Sequence, residues 1–253
     1  MDGMPQLPNT VRFFVDPASI DAGSTTDAEL IHQWQRVLRL RIGADLLLLD
    51  GAGMQMHVVL TELSPKIARF EKRTTTPASG EPTQHITLCA ALIRPERFEW
   101  LLQKSVELGV SRIVPLLCER TRVEAPVTAN KQTRWQRIVT EAAEQSCRGK
   151  LPVLSAPMRL TDLSMPPTDQ VFWLHEGLAT RPLRLLVPPH PAPVWIVSGP
   201  EGGFSPTEQQ WMHQQPGWHA AGLGARILRA ETAPLVAATL VLAARGAFDD
   251  GAP

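Results

Sequence analysis

Ser198-Gly-Pro-Glu-Gly-Gly-Phe-Ser205 follows directly on the short apolar run Val194-Trp-Ile-Val-Ser198, and the reading of this stretch decides the fold. A short apolar run ending in a glycine loop has the form of a buried strand in a parallel sheet. Ser205-Pro-Thr-Glu208 is then a capping box with proline at the first helical position, so a helix begins there. Strand, glycine loop and helix N-terminus make a cradle in which a ligand approaches the backbone closely. The competing reading is a tight turn that simply needs glycine. The loop is not GxGxxG, and GxxxxGK[ST] is absent, so neither the dinucleotide nor the P-loop fingerprint is present.

Two further loops share this form. Leu223-Gly-Ala-Arg-Ile-Leu-Arg-Ala-Glu-Thr-Ala233 follows a predicted strand, with Arg226 and Arg229 flanking an apolar pair and a helix opening at Glu231-Thr232. Here the alternative to a ligand loop is a helix start with Arg229 paired to a neighbouring carboxylate. Leu174-His-Glu-Gly177 ends a third apolar run. Ligands of open α/β sheets gather where strands end, so the three loops strengthen one another.

Outward from these loops, strands are expected at residues 85–92, 112–117, 171–174, 194–198 and 217–223. Helices are expected at 95–108, 130–147 and 231–247. The alternation predicts an α/β domain with a mainly parallel sheet over 85–253. Residues 1–73 read as a small β-rich unit. Its strands are expected at 12–15, 45–50, 55–60 and 66–71, with a hairpin turn at Gly51-Ala-Gly53 and a helix at 27–40. Residues 74–84, TTTPASGEPTQ, lack apolar periodicity and are assigned as a linker, and the proline-rich stretch 188–193 as a loop.

Composition narrows the function. The 253 residues carry 25 basic and 25 acidic side chains, so the molecule is no polycation. Residues 94–150, however, hold eleven Lys/Arg against seven Asp/Glu, a local basic face of the kind that grips phosphates. Three cysteines without a CxxC pair argue against a disulfide scaffold or zinc cluster and fit a reducing cytoplasm. No histidine or carboxylate set has metal-ligand spacing, and no GxSxG elbow is present. No signal pattern or membrane-length apolar run occurs; the run 233–244 is expected to be a core helix.

Taken together, the loops Gly199-Pro-Glu-Gly-Gly203 and Leu223–Ala233 resemble the cofactor-loop motifs of the RsmE family, 16S rRNA uridine N3-methyltransferases of the SPOUT superfamily. Arg12-Phe-Phe-Val15, His32 and Val37-Leu-Arg39 look like the family's N-terminal PUA-like RNA-binding domain. Gln103-Lys-Ser-Val-Glu-Leu-Gly-Val110, Glu119-Arg-Thr121 and Glu144-Gln-Ser146 match its catalytic domain in the expected order. The chain departs from the usual pattern at Arg94-Pro-Glu-Arg97, where relatives carry Lys-Gly, and at Ala225 and Ala230.

The resemblance implies a small N-terminal β-barrel of PUA-like form and a C-terminal domain with a trefoil knot, an arrangement that general topology rules would not propose. It also implies a homodimer and S-adenosyl-L-methionine held by Leu174, His175, Glu176, Gly199, Pro200, Glu201, Gly202, Gly203, Leu223, Gly224, Arg226, Ile227, Leu228 and Arg229. RNA contacts are expected from Arg12, His32, Arg36, Arg39, Arg94 and Arg97. Uridine N3 must lose a proton as it attacks, so cationic groups near the uracil oxygens would stabilise the imidate. Arg229 is the candidate for that role, Arg226 the reserve, and Glu201 the candidate proton acceptor. The partner is expected to be 16S rRNA or the small ribosomal subunit, with no metal and no membrane. A SPOUT methyltransferase acting on tRNA and a non-catalytic ribosome-assembly protein are the alternatives.

Overall fold

The computed structural model describes residues 10–78, 81–122, 127–177, 180–188 and 192–248. The chain divides into two compact units, one formed by Met1–Glu81 with Ala143–Leu151, the other by Pro82–Ala142 with Pro152–Pro253.

In the first unit, β1 (Val11–Phe14), α1 (Pro17–Ala22), β2 (Ser24–Thr25), α2 (Ala28–His32), β3 (Asp45–Leu49), β4 (Met54–Leu63) and β5 (Ala68–Pro77) follow in order. The strands form a five-stranded sheet ordered β1-β3-β4-β5-β2, antiparallel except for the β1–β3 pair. Its core gathers Phe13, Ile31, Trp34, Leu46, Leu48, Val58 and Leu60. The turn at Gly51-Ala-Gly53 is a hairpin as expected. Both glycines have positive φ, and the Asp50 carboxylate accepts hydrogen bonds from the Ala52, Gly53 and Met54 N–H groups.

Three expectations need correction here. The helix predicted over 27–40 is α-helical only from Ala28 to His32, then makes a turn of π-helix over Gln33–Val37, and ends where Arg39 takes φ +52°. The apolar spacing misled because Val37 and Leu38 are exposed; Ile31 and Trp34 are buried in the core, and Leu30 and Leu40 pack partly against it. The strand predicted over 66–71 extends to Pro77, four residues into the expected linker, with Thr74, Thr76 and Pro77 paired to His57, Gln55 and Met54. Those threonines are β-branched but largely exposed, so strand propensity was present without the burial pattern that reveals a strand. Finally, residues 143–151, assigned from sequence to the second domain, belong to the first unit. The Phe14 N–H donates to Glu144 Oε1 (2.9 Å), and Glu81 accepts from Arg148 and from the Gly149 and Lys150 N–H groups.

The second unit contains β6 (Ile86–Ala91), α3 (Pro95–Glu107), β7 (Arg112–Leu117), α4 (Ala129–Gln145, whose last turn lies in the first unit), β8 (Val153–Leu154), β9 (Met158–Arg159), β10 (Gln170–Leu174), β11 (Val194–Ser198), α5 (Pro206–Gln214), β12 (Trp218–Ala221) and α6 (Thr232–Ala244). Its seven strands pair in parallel in the order β12-β10-β11-β6-β7-β8, with β9 also on β7. The mainly parallel α/β sheet is therefore as expected; β8 and β9 were too short to be read from sequence. Burial of Leu235, Ala237, Ala238, Val241 and Leu242 makes α6 a core helix packed on β6 and β11. Of the loop expected at 188–193, residues 189–191 lie outside the described residues.

Candidate active site

The site is built by three parallel neighbours that end together. In register, Trp173 of β10 lies beside Val197 of β11, and Leu174 lies beside Ala221 of β12. The chain leaving each strand therefore emerges at one edge of the sheet, and the three loops line a single cavity of about 560 Å³. Leu174, His175 and Glu176 come from the first loop. Gly199, Pro200, Glu201, Gly202 and Gly203 come from the second. Leu223, Gly224, Arg226, Ile227, Leu228 and Arg229 come from the third. Every residue assigned from sequence to cofactor binding lies on this wall.

Local bonding fixes each loop. The Gly177 N–H donates to His175 Nδ1 (2.9 Å), which places the proton of the neutral ring on Nε2, and the ring packs against Trp173. The predicted capping box is present in full: the Glu208 N–H donates to Ser205 Oγ, and the Ser205 N–H to Glu208 Oε2. The other oxygen of this buried carboxylate accepts the Glu119 N–H (2.8 Å), so Glu208 also anchors the loop that follows β7. At the third loop, Gly222 exchanges hydrogen bonds with Arg181 and Leu183.

The glycines are not equivalent. Gly203 and Gly224 have φ of +66° and +103°, where a side chain is strained. Gly199 is limited instead by space, since a Cβ there would come within 3.3 Å of the Phe204 ring. At Gly202 a Cβ would only touch the Arg120 side chain at an ordinary 3.5 Å.

Sequence reasoning missed Arg120 as a site residue. It lines the cavity and donates from Nη1 to the Gly202 carbonyl (2.9 Å), tying the loop after β7 to the glycine loop 82 residues away. The only trace in the sequence was its place within Glu119-Arg-Thr121.

Charge at the cavity is organised as a chain. Arg97 of α3 faces Glu201 (Nη1 to Oε1, 3.9 Å) and Glu231 (Nε to Oε1, 3.7 Å), and Arg229 faces the same Glu231 oxygen (3.9 Å). Arg97, expected to contact RNA, thus lies on the cavity wall between two carboxylates. Arg226 makes no ion pair among the described residues. Arg94, also expected to contact RNA, is exposed at the start of α3.

The remaining RNA candidates lie in the first unit. His32, Arg36 and Arg39 are exposed along the α2 and π-helical stretch, beside the exposed apolar Val37 and Ile42. Arg12 is half-buried on β1, and its Nη1 lacks a hydrogen-bond partner among the described residues.

The two buried cysteines are unsuited to nucleophilic chemistry. Burial pushes the Cys118 thiol up to about 12, with the Glu208 charge adding to the effect against the Thr121 hydrogen bond. Burial also raises Cys89 strongly. Neither is a nucleophile at neutral pH. Among the described residues, no three His, Cys, Asp or Glu side chains are grouped as a metal would require.

Comparison with known proteins assigns the family. Residues 80–242 match the RNA methyltransferase domain family. The ribosomal RNA small subunit methyltransferase E of Synechocystis is 35% identical over 237 residues, spanning 89% of this chain and 75% of the relative. The chain belongs to the ribosomal RNA small subunit methyltransferase E family.

Solved structures agree with this assignment. The family member from Neisseria gonorrhoeae, solved bound to S-adenosyl methionine, superposes with a TM-score of 0.83 at 31% identity, covering 93% of this chain and 98% of that one. A Legionella pneumophila methyltransferase, solved in complex with the same cofactor, gives 0.82 at 28% identity, covering 93% and 98%. The Bacillus subtilis family member is 27% identical over 84% of this chain and 87% of its own length.

Proposed function

We propose that this protein methylates N3 of a uridine in 16S ribosomal RNA of the small subunit, with S-adenosyl-L-methionine as donor. The observation that carries the reading is the convergence of three backbone loops on one cavity whose wall includes Arg97, Arg120, Arg226 and Arg229. Its volume falls within the roughly 300–1,000 Å³ of small-molecule sites. The residues fit the donor: glycines at 199, 202, 203 and 224 leave the backbone open to adenine and ribose, and the side chains of Leu174, Leu223, Ile227 and Leu228 supply apolar area. When bound, S-adenosylmethionine supplies a methyl group on a sulfonium, an electrophile that needs no metal.

The rest falls to the chain. Loss of the N3 proton puts negative charge on the uracil imide, which methyl transfer then consumes, and a guanidinium within reach of its oxygens stabilises the deprotonated form that attacks. Arg229 serves this role, with Arg226 in reserve. Glu201, at the cavity and only loosely held by Arg97, is the proton acceptor. Arg12, His32, Arg36 and Arg39 in the first unit, with Arg94 in the second, grip the RNA phosphates.

The finer architecture follows the same reading: a PUA-like barrel in the first unit, a trefoil knot in the second, and a homodimer acting in the cytoplasm. Immediately before the chain enters the third loop, Gly222 donates to the Arg181 carbonyl and accepts from the Leu183 N–H, holding together segments on either side of β11. The exposed Ile227 on the cavity loop supports a partner surface close to the site.

Mass spectrometry of small-subunit RNA from a strain lacking this protein tests the function. Loss of one N3-methyluridine, restored by the intact gene but not by Arg229→Ala, is expected. Loss of a tRNA methylation instead, or no lost mark, would overturn it.

A further inference from the structure

We infer that Glu231 is a positioning residue for the reaction, holding Arg229 over the cavity from a buried carboxylate that it shares with Arg97. This rests on the role proposed for Arg229.

Glu231 does not line the cavity; it lies behind Arg229 and Arg97, which do. It is 8% exposed, and its Oε2 is buried with no hydrogen-bond partner among the described residues. Its Oε1 faces both guanidinium groups, but at 3.7 and 3.9 Å, longer than the roughly 2.7–2.9 Å of a closed charge-assisted hydrogen bond. A buried carboxylate held this loosely is costly, and an apolar residue would usually stabilise the fold as well or better. Helix capping does not account for it: Glu231 occupies the N-cap of α6, yet its side chain makes no capping bond.

What the carboxylate provides is an anchor. The Arg229 side chain is 75% exposed and has no other ion-pair partner among the described residues, so without Glu231 its guanidinium is free to sample solvent. Arg97 meets Glu231 from α3 and reaches Glu201 on the glycine loop, so the charges Glu201, Arg97, Glu231 and Arg229 alternate in sign across three elements around the cavity. When RNA covers the mouth and excludes water, these attractions strengthen and the loose contacts close. Glu231 therefore fixes where positive charge stands as the imidate forms.

The test is a double-mutant cycle in the full-length protein, reading single-turnover methyl transfer to small-subunit RNA alongside calorimetric binding of S-adenosylhomocysteine. Arg229→Ala is expected to slow transfer by roughly 10²-fold. Glu231→Gln, which keeps shape and removes charge, should slow it by roughly tenfold while cofactor affinity stays within about threefold. The double variant should be no slower than Arg229→Ala alone. If the two effects multiply, Glu231 acts elsewhere and the inference fails. If Arg229→Ala slows transfer but Glu231→Gln does not, the anchor fails while Arg229 keeps its role. If Arg229→Ala has no effect, the Arg229 assignment fails and takes the anchor with it. Loss of cofactor binding in a folded Glu231→Gln protein would make the residue a loop scaffold instead. Should Glu231→Gln not fold, Glu231→Leu, which fills the buried space without charge, replaces it, and it must likewise be non-additive with Arg229→Ala.

Discussion

Replacing Gly203 by alanine is expected to weaken cofactor binding more than the same change at Gly199 or Gly202, although all three line the cavity. Gly203 has φ +66°, and a Cβ built there meets nothing within 4 Å. The penalty is therefore torsional, about 1–2 kcal/mol for a non-glycine residue held in the left-handed region. An alanine variant relieves this strain by leaving the cradle conformation, and binding must restore it. Apparent affinity falls by the fraction still competent, roughly 5- to 30-fold. Gly202 lies outside the left-handed region, and its Cβ would make only an ordinary contact with Arg120, so a change of about twofold or less is expected there. Gly199 falls between the two, because the buried Phe204 ring must yield a few tenths of an ångström. Calorimetry with S-adenosylhomocysteine on the three variants, with thermal melts as a folding control, gives the order directly. Parent-like binding by Gly203→Ala, or the largest loss at Gly202, would refute the argument that backbone conformation shapes the cradle.

Two further predictions concern the first unit. Burial raises the Glu81 carboxyl, but the Arg148 guanidinium and the Lys150 and Gly149 N–H groups outweigh it and hold the group below its ordinary 4.5. A lowered folded-state pKa gives stability that is complete above about pH 4.5 and fades as pH falls through the folded value. Glu81→Gln should cost about 2–3 kcal/mol at pH 7, less than the ~3–5 of a fully buried pair, since Glu81 is 16% exposed against 4% for Arg148. In urea melts the gap between variant and parent should narrow below pH 4.5; a gap constant with pH would contradict the ion-pair account. Arg39→Gly should leave stability unchanged, because relief of the φ +52° strain offsets the added freedom of the unfolded chain. It should nevertheless weaken RNA binding and reduce the slope of log affinity against log salt by about 0.7–0.9, the signature of one lost phosphate contact. Unchanged RNA affinity would remove Arg39 from the interface.

The features legible in the sequence were those set by neighbours along the chain. Ser205 and Glu208 are three residues apart, and their reciprocal hydrogen bonds follow from that spacing alone. The loops at 174–176, 199–203 and 223–229 were found because short apolar runs end abruptly in glycine or polar residues. What stayed hidden depends on residues distant in the chain. Nothing near Arg120 announces that its guanidinium meets the Gly202 carbonyl, and nothing near residue 148 announces Glu81, 67 residues earlier. The periodicity of 27–40 pointed to one regular helix because exposed Val37 and Leu38 look the same in sequence as buried ones. The alternative reading of Arg229, as a partner of a nearby carboxylate, also proved correct in its geometry, without excluding a place on the cavity wall.

The charges around the cavity address a conflict inherent in the proposed reaction. The site must accept a cationic sulfonium donor and a polyanionic RNA together. A wall of bare arginines would draw the RNA and repel the donor; a wall of bare carboxylates would do the reverse. Here four arginines, 97, 120, 226 and 229, share the wall with Glu176 and Glu201, and Glu231 stands behind them. Arg97 is balanced by two carboxylates and Arg229 by one, at distances that leave their N–H groups available for stronger hydrogen bonds. Arg120 spends one N–H on the Gly202 carbonyl, so its charge also fixes the loop expected to hold the donor. Arg226 alone of the four has neither an ion pair nor a hydrogen bond from its side chain among the described residues, and it is exposed. Positive charge is thereby muted along most of the wall and left free at Arg226, where an incoming phosphate would meet an uncommitted guanidinium.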